Sequence, residues 1–270
     1  MVRRASRPVM PNISAETAVR RELQKLIRAM VRQARKRALD GRRASEASGA
    51  VYAGDDTPDP DIRTPLQGWS DIFARAAEAL AARWAARVFK HNRTQFNSIL
   101  DEAGGLAIDR YALEPAARMA AETAIADMVS AIRTIPEEFF AGLQKAVKQS
   151  AEAGGRAADI TAAVMETGAV SERRAEFIAR DQTRRFNSVL TATRGRDAGL
   201  DEFIWLHSSA GKKPRPMHVA LDGKTCRMSD PPVIDADGTR GLPGELFNCR
   251  CVMKLIYNPV TTANGDNNGA

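Results

Sequence analysis

His218, Cys226, Cys249 and Cys251 offer one imidazole and three thiolates, a ligand set that suits a closed tetrahedral zinc site. Their spacing is unusual for one. Structural zinc sites are commonly built on Cys-x2-Cys knuckles, whereas here the close pair is Cys-x-Cys and the other two residues stand alone. The competing reading is that the cysteines are small buried apolar residues of a loop-rich unit, with His218 bonded to a backbone carbonyl. A disulfide is disfavoured, because three cysteines leave one unpaired and nothing in the chain indicates export to an oxidising compartment. A catalytic Cys/His pair lacks an Asn or Asp at a recognisable spacing to serve as its third member.

These residues sit within a punctuated stretch running from Trp205 to Cys251. It contains Arg215-Pro216-Met217-His218, Leu221-Asp222-Gly223, Pro231-Pro232, Pro243-Gly244-Glu245 and Asn248-Cys249-Arg250-Cys251. Ahead of it stands Arg173-Arg174-Ala175-Glu176-Phe177-Ile178-Ala179-Arg180-Asp181-Gln182-Thr183. In order and spacing these motifs strongly resemble the phage Mu F-like head morphogenesis proteins, also called minor head proteins. The resemblance runs over about residues 130 to 257, starting with the lead-in Ile132 to Phe139. It implies a small C-terminal domain whose motif residues are Arg180, Asp181, Gln182, Asn187, Trp205, Arg215, His218, Asp222, Gly223, Asn248, Cys249, Arg250 and Cys251. One departure stands out: where the family has an Asp-x-Arg-x-Arg-Pro-x-His pattern, this chain has Gly211, Lys213 and Arg215. The acidic position is lost, so Asp222 or a backbone carbonyl is expected to hold His218 instead. Relatives often carry an aromatic or aliphatic residue in place of Cys226, which makes it the weakest of the four ligands, with Asp222, Glu245 or water as substitutes.

Arg180, Arg184 and Asn187 recur at i, i+4 and i+7 and share one helical face. That face predicts a polar clasp on the loop that follows, structural in purpose. Glu202 to His207 and Cys251 to Tyr257 read as strands, paired antiparallel across the intervening loop.

The elements that must position this stretch read as helices. Alanine is abundant, aromatics make up 6% of the chain and hydrophobic residues 44%, which favours helices with small interfaces over a β-sandwich. Apolar spacing predicts helices at about Thr64 to Leu100, Glu114 to Thr134, Pro136 to Ala153, Ala157 to Thr167 and Ser171 to Arg196, with Pro136, Gly154-Gly155 and Gly168 as breaks. Trp69, Phe73, Leu80 and Trp84 form the buried stripe of the first of these. The fold class is therefore mainly α: a helical body followed by a small α+β C-terminal domain with a short antiparallel sheet. The expected organisation is a basic amphipathic helical arm over 1–43, a flexible linker over 44–63, a helical body over 64–170, the Mu F-like domain over 171–257 and a disordered tail over 258–270.

The arm carries thirteen Lys or Arg against Glu16, Glu22 and Asp40, in a chain of net charge +7. Its apolar stripe of Val19, Leu23, Leu26, Ile27, Met30, Val31 and Ala34 opposes a basic face, with Ser14 as cap and Gly41 as stop. Arg28, Arg32, Arg35, Lys36 and Arg37 are the candidates for duplex DNA contact through counterion release. The alternative is that these charges solvate a helix docked on the protein's own core or on a neighbouring subunit. No run of about 18 apolar residues occurs and the first residues lack a signal-peptide core, so a soluble chain made in the host cytoplasm is expected.

Two functions compete. The resemblance implies a structural, non-enzymatic minor protein of the phage virion, acting in procapsid assembly near the portal, with portal, capsid or scaffold proteins as partners, no membrane, and packaged DNA within reach. The alternative is a metal-assisted hydrolase or nuclease on the His218 and cysteine cluster, with zinc as its metal. Against it, Asp222, Asp230, Asp235 and Asp237 lack the ordered spacing that two-metal chemistry requires.

Overall fold

The computed structural model describes residues 3–48, 63–103, 114–152, 157–209 and 213–258. In chain order they form β1 (Arg4–Ala5), α1 (Ile13–Ser48), α2 (Arg63–Glu102), α3 (Glu114–Glu152), α4 (Ala157–Asp197), β2 (Glu202–Leu206), α5 (Pro216–Leu221), β3 (Thr225–Arg227) and β4 (Val252–Tyr257). The class is the expected one, mainly α with a small antiparallel sheet formed chiefly by C-terminal strands. Of the expected linker, residues up to Ser48 continue α1 and 49–62 lie outside the described residues. The expected tail lies outside them from residue 259 onward. No helix among the described residues is long and apolar enough to cross a membrane.

The chain divides into two compact units. One comprises the described residues of 16–84 and 125–180 and is purely helical. Val19, Leu23, Ile27 and Met30 recur on one face of α1 and are buried, as are Phe73, Ala77, Leu80 and Trp84 of α2 and Met128, Ile132, Ile135 and Phe139 of α3. Each helix of this unit touches the next around a ring. Trp69 Nε1 of α2 donates to Gln33 Oε1 of α1 at 2.6 Å. Arg133 of α3 pairs with Glu78 of α2 at 3.3 Å, Arg174 of α4 with Glu138 of α3 at 3.0 Å, and Arg28 of α1 with Glu172 of α4 at 2.9 and 3.2 Å. Such exposed pairs set neighbours more than they stabilise; the apolar stripes carry the stability.

Two expected breaks are not breaks. Pro136 lies inside α3, where it removes one helical hydrogen bond, yet the buried stripe continues on both sides of it and holds the helix together. Gly168 lies inside α4 because the packing requires it: a Cβ there would stand 2.6 Å from Val31 Cγ2 of α1. The expected stop at Gly41 and cap at Ser14 also shift. α1 runs on to Ser48, and its first turn is capped by Asn12, whose Oδ1 accepts the Ala15 N–H at 3.0 Å.

The other unit comprises the described residues of 1–15, 85–124 and 181–270. Its sheet has the order β1-β4-β2-β3, antiparallel throughout. β2 and β4 pair directly, Phe203 opposite Leu255 and Trp205 opposite Met253, as their alternation predicts. Phe203, Trp205, Met253, Leu255 and Tyr257 face one way and pack with Phe96, Ile99 and Leu100 of α2 and Ala192 of α4. The two-residue strand β1 was not foreseen. Arg4 lies opposite Tyr257 and Ala5 opposite Ile256, and Ser6 continues the ladder by exchanging bonds with Leu255.

Candidate functional site

Trp205 points inward from β2 and is fully buried. The chain then reaches α5, six residues long, with Pro216 in its first turn, where a missing N–H costs nothing. A turn at Asp222-Gly223 ties α5 back to β2. Asp222 Oδ1 accepts the His207 N–H at 2.8 Å, and Gly223, at φ +74°, donates to the Trp205 carbonyl at 2.9 Å. These ties carry His218, 3% exposed, onto the edge of the Trp205 ring, with centroids 5.2 Å apart and planes at 73°.

From the other side come Cys249 and Cys251, just before β4. Alternate residues of extended backbone face the same way, so both sulfurs meet one ring nitrogen. His218 Nδ1 lies 3.5 Å from Cys249 Sγ and 3.6 Å from Cys251 Sγ. All three residues are buried, and their ligand atoms lie within 4.8 Å of one another. His218 Nε2 is buried with no hydrogen-bond partner among the described residues. The Cys251 thiol, donating to Cys249, holds Cys249 far below the ordinary thiol value, at about 4; His218 and the Gly244 N–H assist, and burial opposes them. Cys251 is pushed the other way by that same contact, by burial and by its partner's charge.

Cys226 does not join this group. It lies on β3 opposite Phe203, while Trp205 is the next inward residue along β2 and Cys251 lies two residues before Trp205's partner Met253. Two such steps of two residues set Cys226 about 13 Å from Cys251 in the strand direction, and the two also lie two strands apart. Its thiol faces the Lys224 carbonyl at 3.8 Å. Asp222, expected to hold His218, is occupied by the His207 N–H, and Glu245 Oε2 accepts the Leu242 N–H at 2.9 Å. The other loop carboxylates are also engaged. Asp230 pairs with Arg240, Asp235 accepts the Ala236 N–H, and Asp237 accepts the Thr239 N–H.

The clasp on α4 exists with a changed cast. Asp181 accepts the N–H of Asn248, which sits at φ 60°, a conformation Asn tolerates. Ser188 donates to the Pro243 carbonyl. Gly244, at φ +92°, passes over α4 where a Cβ would lie 3.1 Å from that of Ser188, and its N–H donates to Cys249 Sγ at 3.3 Å. Arg180 pairs instead with Glu176 on its own helix at 3.4 Å, Gln182 is half-buried, and Arg215 donates to the Phe247 carbonyl at 3.2 Å.

Asn187 reaches elsewhere, to the Val9 carbonyl at 3.0 Å, and accepts from Asn92 at 3.0 Å. Arg194 completes this network, 1% exposed, bonded to Asn92, 4.5 Å above the Phe89 ring and 3.9 Å from Glu114. Burial lowers its pKa to about 10, against the pull of Glu114. Sequence reasoning missed Asn92, Glu114 and Arg194, since nothing in a helical pattern marks a polar residue whose partner is a hundred positions away. Of the basic candidates on α1, Arg28 is held by Glu172, while Arg32, Arg35, Lys36 and Arg37 are exposed.

Residues 141–254 match the family described as "Phage Mu protein F like protein". The matched span holds every motif residue named above. The chain is 29% identical over 177 residues to an uncharacterized protein of Haemophilus influenzae, an alignment covering 65% of this chain and 38% of that protein. It is 37% identical over 59 residues to a pentalenene synthase of Streptomyces arenae, covering 22% of this chain and 18% of the synthase. The chain thus spans well under half the length of these curated relatives. No solved structure matches it.

Proposed function

With residues 141–254 taken as a Phage Mu F-like domain, we propose that the chain is a minor head protein that acts in procapsid morphogenesis near the portal and stays in the virion. The observation that carries this reading is that Asp181, Trp205, His218, Cys249 and Cys251, five of the family's motif residues, come together in the buried part of the domain: Asp181 on the Asn248 loop, and His218 between Trp205 and the two cysteines. Such an arrangement serves to hold a shape for a partner. The hydrolase or nuclease alternative loses support from the same geometry, since Asp222, Asp230, Asp235 and Asp237 are each bonded away from the sulfurs. The proposed partners are portal, capsid or scaffold proteins. Purified procapsids and DNA-filled heads should both contain the chain at low copy number, and portal protein should co-purify with it. Its absence from both particles would overturn the reading.

Packaged DNA is a proposed second contact, made by the exposed Arg32, Arg35, Lys36 and Arg37. Because α1 buries Val19, Leu23, Ile27 and Met30 in its unit's core, deleting the helix is no test. The full chain should bind duplex DNA with an affinity that falls steeply with salt. Replacing the four residues with Gln should flatten that slope by about four counterions; an unchanged slope removes α1 from the contact.

A further inference from the structure

We propose that His218, Cys249 and Cys251 hold one zinc ion that clips α5 to the segment entering β4, a role independent of where the protein acts in the head. The distances carry the argument. A tetrahedral zinc at about 2.3 Å from sulfur and about 2.0–2.1 Å from nitrogen requires an N···S separation of about 3.6 Å. Both separations here, 3.5 and 3.6 Å, meet that requirement at the same nitrogen atom. Depending on the tautomer Nδ1 carries one N–H or one lone pair, and either is best aligned on one sulfur, whereas two near-equal separations at the tetrahedral value fit a shared ion. A cation facing all three atoms accounts for both. Two thiolates and an imidazole select zinc over magnesium or calcium.

The surroundings fit a metal-bound thiolate. The Gly244 N–H donates to Cys249 Sγ at 3.3 Å, the kind of outer contact that steadies a ligand, and packing against Trp205 fixes the His218 ring with Nδ1 toward the sulfurs. Asp222 and Glu245 are committed elsewhere, which leaves the fourth corner to water. Burial of all three ligands, 3–6% exposed, leaves little room for a substrate beside that water. The clip would also anchor the end of residues 228–251, which contain one isolated β-bridge, between Val233 and Arg240.

Elemental analysis of the full chain, expressed with zinc in the medium and purified without chelators, should give about one zinc per chain. Cys226→Ala should keep it, and Cys251→Ser and His218→Ala should lose it. Since those two variants risk misfolding, the wild type supplies a second readout. Chelation should lower its melting temperature, zinc should restore it and magnesium should not. Cobalt substitution should produce a thiolate-to-metal charge-transfer band. A metal-free wild type unmoved by chelator, a Cys249–Cys251 disulfide found by mass spectrometry, or equal zinc in wild type and Cys251→Ser would each overturn the proposal.

Discussion

Single residues here act through the backbone as often as through their side chains. Gly168 is the plainest case, for the approach of α1 to α4 leaves its Cα against Val31. Gly168→Ala gains helix propensity of about 1 kcal/mol but drives a methyl into a β-branched side chain held to one rotamer, so the net effect should be a loss of about 1–2 kcal/mol. Val31→Ala in the same chain should remove most of that loss, giving a non-additive cycle in chemical denaturation. Additivity of the two substitutions would show that the helices part without cost. From sequence Gly168 reads as a stop, because a glycine inside an amphipathic run looks alike whether it ends a helix or admits a neighbour. Cys226 misleads in a similar way. Its type suits the ligand set, and only the strand register separates it from Cys251 by two inward rows.

At the scale of elements, the helices and the central strand pair were legible because periodicity is a local signal. The stripe of Trp69, Phe73, Leu80 and Trp84 is buried as read. Trp84→Ala should cost about 3–5 kcal/mol, measured as a lowered midpoint in denaturant. An unchanged midpoint would mean that the unit tolerates the cavity, which its 2% exposure argues against. Joins between elements were less legible. The two halves expected on either side of Pro136 form one helix, since proline propensity is a cost of about 3 kcal/mol that a continuous buried stripe can outweigh. β1 offered no pattern at all, having two residues and a partner strand some 250 positions away.

At the scale of the molecule, residues 1–43 are divided between the two compact units. Residues 4–12 belong with the sheet and α1 from Glu16 onward with the helical unit. Asn187, expected to clasp the loop beside His218, instead holds the Val9 carbonyl. Asn187→Ala should therefore raise amide exchange at residues 4–9 while protection around 244–249 is retained, with about 1–3 kcal/mol lost from the buried Val9 carbonyl left without its donor, since Asn92 keeps Thr191 and the Asn187 carbonyl. Loss of protection only at 244–249 would restore the sequence-based assignment. The pairing of Arg4 and Ala5 with β4 has a consequence for refolding. It closes a loop of some 250 residues, which is slow, and until it forms the edge of β4 is open to the same segment of a second chain, so concentrated refolding favours exchanged dimers that dilution would avoid.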